Sequence, residues 1–206
     1  MVNLKNSFMQ LMSFLMNLIF LNLLWILFSF LGLVLFGLAP ATVCLFHFLD
    51  LLRLEKTIPS FKEFFIEYKK NFFSANRNGV LFLIFTLLSL LNFKFSLTFF
   101  SQAVWLQGVY LALVFIFLVS EVLILANQAK IHLTFIENIR LILVEIFRFP
   151  VRVLAIIFTI FVVTLILSSH LFIFLTFGIA LALYLVNFIH SDMLNEVDKL
   201  KNKLQS

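Results

Sequence analysis

The sequence predicts an all-α membrane protein, a bundle of about six transmembrane helices with two or three interfacial amphipathic helices. Three observations lead there. Of the 206 residues, 63% are apolar and only 12% are charged, and the mean hydropathy is +1.13. Soluble domains carry about 45–50% apolar and about 25% charged residues, so charge this sparse cannot coat a globule of this size. That excludes a soluble enzyme and a disordered chain. Several apolar runs also reach the roughly 20 residues that cross a bilayer, and Lys and Arg gather between alternate runs.

The first span is read at 8–36. Its 29 residues exceed the about 7–15 of a signal-peptide core, so the run is expected to stay as a membrane helix. Gly37 and Pro40 end it, and Pro40 suits the first turn of a new helix, where its missing N–H costs nothing. That helix, 39–54, is apolar all round until Asp50 and Arg53. Further spans are read at 79–100, 103–126, 151–167 and 171–189, the last two hinged at Ser168-Ser169-His170.

Between spans lie segments with one apolar face. In 60–76, Phe61, Phe64, Phe65, Tyr68 and Phe72 recur at helical spacing, with Lys62, Glu63, Glu67, Lys69 and Lys70 mostly opposite. In 134–149, Phe135, Ile139, Ile142 and Ile146 share a face, and Glu137, Arg140, Glu145 and Arg148 lie away from it. Both patterns predict helices lying in the membrane interface. Both open with a capping box, Ser60-x-x-Glu63 and Thr134-x-x-Glu137, starting 74 residues apart. The tail, 191–206, reads as a third amphipathic helix on Leu194, Val197, Leu200 and Leu204. The chain therefore parses as a single multipass domain in which a hairpin plus an interfacial helix recurs.

Charge sets the expected orientation. Net charge is +5. With six spans and both termini cytoplasmic, 14 of the 15 Lys and Arg fall inside and only Lys94 outside, as the positive-inside rule requires. The short second helix leaves an alternative. Fourteen residues, 41–54, reach about 21 Å, short of a core of about 30 Å. If it does not cross, there are five spans and the amino terminus lies outside.

Leu21-Asn22-Leu23-Leu24-Trp25, then Ala39-Pro40-Ala41-Thr42, then Phe64-Phe65 and Lys70-Asn71-Phe72, resemble the YesL-like family of small bacterial integral membrane proteins. The resemblance implies a domain of unknown function associated with carbohydrate-utilisation gene clusters and sugar importers. It implies no catalytic residues. Ala39 stands where the family usually carries a Gly.

Candidate polar residues are few. Glu121 is the one acidic residue deep in an unambiguous span, about 13 Å along the helix from Lys130. An intramembrane carboxylate is a functional candidate by default, and the alternative is a structural partner at similar depth: Asn17, His47, Arg53 or Arg77. Asn22 and Asn17 lie in the first span, where asparagine can bond across helices. His47 and Asp50 are three residues apart, a weak metal signal. No histidine pair has metal-ligand spacing, and no Gly-rich phosphate loop, nucleophile elbow or HExxH occurs. No catalytic residue, cofactor or metal is therefore expected. Cys44 stands alone, so no intrachain disulfide is expected. Beside apolar spans, the basic helices suit anionic lipid headgroups and not nucleic acid.

These readings lead to a non-enzymatic multipass protein of the bacterial cell membrane, touching membrane lipids. Through the resemblance it is expected to serve as an accessory component of carbohydrate uptake or its regulation, with sugar-importer subunits as partners. The alternative is a small transporter or channel with a polar site near Glu121. An intramembrane enzyme would need an acid/base or metal constellation that the sequence does not offer.

Overall fold

A computed structural model describes residues 2–54, 59–131, 133–168 and 174–205. The elements are α1 (Val2–Leu31), α2 (Leu38–Arg53), α3 (Phe61–Phe99), α4 (Val104–Lys130), α5 (Phe135–Arg148), α6 (Pro150–Ser168), a π-helical turn (Phe174–Gly178) and α7 (Ile179–Gln205). Among the described residues there is no strand. The protein is an all-α membrane protein.

Helix α2 is the centre of the bundle, packed by α1, α3, α4 and α7. Its apolar circumference explains this position: Ala39, Val43, Cys44, Leu45, Phe46 and Leu49 are all buried, and a helix apolar all round belongs inside. The turn that delivers it from α1 is tight. Leu33 and Val34 have φ of 56° and 63°, a left-handed conformation that is unfavourable for a β-branched residue. Gly32 and Gly37 meet backbone to backbone. A Cβ on Gly37 would lie 2.1 Å from the Ser29 carbonyl oxygen, and one on Gly32 would lie 2.4 Å from Gly37 Cα. Trp25 Nε1 donates to Thr42 Oγ1 at 3.0 Å across the hairpin. Phe28 is seated among Phe61, Phe64, Phe65 and Tyr68, at centroid distances of 5.0–6.0 Å.

Among the described residues, four stretches are long and apolar enough to cross a membrane: 8–31 of α1, α3, α4, and 175–199, which joins the π-helical turn to α7. The bent pair α5 and α6 makes a fifth candidate. The expected six become four or five because α2 has only 16 residues. The α1–α2 turn also meets α3 partway along its length. Asn76 Nδ2 donates to the Phe36 carbonyl at 2.9 Å, and Gly79 lies against Ala39, well short of Phe99.

The segment 60–76 is not a separate interfacial helix. It is the first part of α3, which runs unbroken for 39 residues, about 58 Å and nearly twice the hydrocarbon thickness. A segment continuous with an upright span cannot lie flat beside it. No proline interrupts 61–99, and Asn71 and Asn76 bond back to the carbonyls of Glu67 and Phe72 at 3.0 and 2.8 Å, within the helix's own turns. The segment 134–149 behaves differently. Pro150 follows α5, and α5 meets α6 at 97°, because proline lacks the N–H and its ring clashes with the preceding turn. Such a bend lets α5 lie along an interface while α6 crosses.

Both capping boxes form. Ser60 N–H donates to Glu63 Oε2 at 2.6 Å and Thr134 N–H to Glu137 Oε2 at 2.8 Å. Each cap hydroxyl accepts from the third residue's N–H. The Thr134 backbone N–H and hydroxyl hold the Glu137 carboxyl below its ordinary range. The tail, expected as a separate helix over 191–206, is continuous with α7, which reaches Gln205. The hinge at 168–170 falls largely outside the described residues. The α3–α4 hairpin closes with Phe85 stacked on Phe117 at 5.3 Å. Its far half shows Ile84, Leu87, Leu88 and Leu91 outward, a surface fit for acyl chains.

Candidate functional site

Charged and amide side chains of α2, α3, α4 and α7 surround an open cavity of about 510 Å³. Asp50 is its hub. Its Oδ1 accepts from Asn187 Nδ2 at 2.9 Å and lies 3.4 Å from Arg53 Nη2, and its Oδ2 lies 3.3 Å from Lys130 Nζ. Lys130 also donates to Ser191 Oγ. One carboxylate near the end of α2 thus ties α2 to α4 and α7. On the α3 wall, Glu67 accepts from Lys70 at 3.3 Å and from Asn71 Nδ2 at 2.8 Å. Gln128 donates to Ser74 Oγ at 2.7 Å and accepts from Asn78 at 2.8 Å, which locks α3 to α4. Asn195 and Asp198 of α7 complete the lining with His47, whose ring meets Phe48 edge-on at 5.1 Å.

Three residues are fully buried together: Asn127 of α4, Glu145 of α5 and His190 of α7. Asn127 Nδ2 donates to Glu145 Oε2 at 3.1 Å. With the amide oriented this way by the network, its Oδ1 faces His190 Nε2 at 2.9 Å, so Nε2 carries the hydrogen. Glu145 Oε1 lies 3.1 Å from the same nitrogen. His190 Nδ1 has no partner among the described residues. Asn138 adds a bond from Nδ2 to the Ile124 carbonyl at 3.2 Å. Helix α5 is therefore docked through its polar residues.

Glu145 departs from the sequence reading, which set it on the charged face. Asn138, Ile142 and Glu145 are buried at i, i+4, i+7. The signal was the register of the two capping boxes. Shifted by 74 residues, Phe64, Tyr68 and Asn71 become Asn138, Ile142 and Glu145, and all six are buried. Asn127 carried no signal, and His190 read only as a histidine near a helix end.

The four residues singled out in the sequence do not form one site. Asn22 is buried and bridges α1 to the π-helical turn and the start of α7. Its Oδ1 accepts from the Ala180 N–H at 2.9 Å and its Nδ2 donates to the Leu175 carbonyl at 2.6 Å. These are backbone groups at a place where the regular i→i+4 pattern is broken. Only His47 of the four lines the cavity. Glu121 is half-buried and, among the described residues, makes no hydrogen bond or ion pair; none of its expected partners reaches it. Asn17 is likewise half-buried and unbonded among the described residues. The described residues also contain no group of three or more His, Cys, Asp or Glu placed to hold a metal.

Residues 18–93 match a family model described as a protein of unknown function, DUF624. Over 68 residues, 32% of the chain, the sequence is 38% identical to the uncharacterized protein YteU of Bacillus subtilis (strain 168), and the match covers 31% of that protein. The chain thus spans about a third of the length of this relative. No solved structure matches. The residues that carried the YesL-like resemblance touch one another in the fold: Trp25 bonds Thr42, and Asn71 shares the cavity wall with Lys70. The segment 18–93, from the middle of α1 through most of α3, is thus similar to the DUF624 family of proteins of unknown function, consistent with that resemblance.

Proposed function

We propose that this is a non-enzymatic multipass protein of a bacterial cell membrane that works through contacts with other membrane proteins, with its carboxy terminus cytoplasmic and, because α2 does not cross, its amino terminus outside. By its YesL-like resemblance, the role is accessory to carbohydrate uptake or its regulation, and sugar-importer subunits are the partners. One observation carries the reading. Asn22, Asn127, Glu145, Asp50 and Lys130 all hold helices to one another, and the open polar cavity sits at the charged end, away from Asn22 and Glu121. Polar groups bound to each other act as structural glue and do not line a path for solute.

Glu121, half-buried and unbonded, is the observation that favours a small transporter instead. Two measurements separate the readings: crosslinking in native membranes with mass spectrometry of what copurifies, and solute flux in proteoliposomes holding this protein alone. The accessory role predicts a reproducible importer-subunit partner and no flux. Flux that Glu121→Gln abolishes without loss of folding establishes the transporter.

A further inference from the structure

We propose that the elbow between α5 and α6 is a binding site for the headgroup of an anionic phospholipid. A cavity of about 420 Å³ opens there, lined by Arg148, Phe149, Glu196 and Lys199. Glu196 is its one carboxylate, and Arg152 takes it in an ion pair, with Asp192 also acting on Arg152. The Arg152 guanidinium is further fixed over the Phe149 ring, 5.1 Å from its centroid. Arg148 and Lys199 also act on the Glu196 carboxylate, so three cations gather around the one carboxylate that lines the cavity. Arg152 makes the close pair with that carboxylate, so Arg148 and Lys199 leave an excess of positive charge at the cavity that suits an anion, and a guanidinium matches phosphate oxygens two at a time.

The surroundings choose a lipid over a free anion. Phe147, Val151 and Leu154, on either side of the elbow, are 81%, 77% and 63% exposed. Large apolar side chains so open, beside the start of a membrane-crossing helix, need acyl chains against them. The 97° bend at Phe149-Pro150 sets α5 across the end of α6, at headgroup depth. Basic residues there attract anionic lipid. The site depends on the membrane setting of the fold and not on the accessory role, so either can fail without the other.

Native mass spectrometry of the full chain, with phosphatidylglycerol and phosphatidylcholine of identical acyl chains, tests the site. Each surface cation contributes about fivefold to anionic-lipid affinity. The double variant Arg148→Gln with Lys199→Gln is expected to lower phosphatidylglycerol retention about thirtyfold, leaving phosphatidylcholine unchanged. Arg148→Lys with Lys199→Arg should keep most of it. Lys62→Gln with Lys69→Gln, the same charge loss on α3, should change nothing. If the Gln variant does not fold, the wild-type protein decides: added salt must release phosphatidylglycerol selectively. Equal retention of both lipids, equal loss in the α3 variant, salt-independent retention, or displacement of the lipid by millimolar inorganic phosphate would each overturn the proposal.

Discussion

Glu145→Ala should undock α5. The carboxylate is fully buried and accepts from Asn127 Nδ2 and His190 Nε2, both at 3.1 Å. Alanine leaves two buried donors, each costing about 1–3 kcal/mol when unpaired. The His190 N–H keeps Asn127 Oδ1 at 2.9 Å, which moderates its share. With that reduction the sum is about 3 kcal/mol, at the low end of the about 3–5 kcal/mol lost when one partner of a buried pair is removed. It is a large part of the about 5–15 kcal/mol that stabilises a domain. Glu145→Gln keeps the shape and one acceptor but turns an NH₂ toward a donor, so about half that loss is expected. Thermal unfolding in detergent micelles gives the ranking, and hydrogen exchange read by mass spectrometry gives the location. Amides of α5 should exchange faster in Glu145→Ala while those of the α3–α4 hairpin keep their protection. Unchanged stability, or exchange rising equally in both places, would show that the cluster does not hold α5.

Gly79→Ala should destabilise by about 1–3 kcal/mol by overpacking, since its Cβ would lie 2.9 Å from Ala39 Cβ and 3.2 Å from Leu125 Cδ2; Gly79→Val should be worse, as an unfolding series will show. Asn22→Leu removes the bonds to Leu175 of the π-helical turn and to Ala180 at the start of α7 and should cost about 1–2 kcal/mol, in line with interhelical bonds in membranes; a neutral result would mean that this junction finds other partners. For orientation, a cysteine at Ser101 should react with an impermeant reagent from outside intact cells and one at Lys62 only after lysis, and the reverse would invert the assigned topology.

Membrane class and both capping boxes were legible because each depends on local chemistry: composition, and a hydroxyl three residues before a carboxylate. The continuity of α3 was less plain, since 60–76 and 134–149 share the same cap and the same alternation of faces. The difference is a proline after one and its absence from the other. Amphipathic periodicity says which face is polar but not how the helix lies against the next.

The charged cavity and the buried cluster could not be read this way. A carboxylate on an amphipathic helix looks the same whether it faces water or a buried amide. Glu145 finds its partners 18 and 45 residues away, and Asn22 reaches 158 residues to Ala180. Glu121, the most conspicuous charge in the sequence, makes no bond among the described residues, whereas Glu145, set among ordinary surface charges, is buried at a junction of three helices. Sequence fixes which groups must avoid lipid or find a partner, because that cost belongs to the group itself. Only the tertiary packing decides which partner it meets, because that depends on helices brought together from distant parts of the chain.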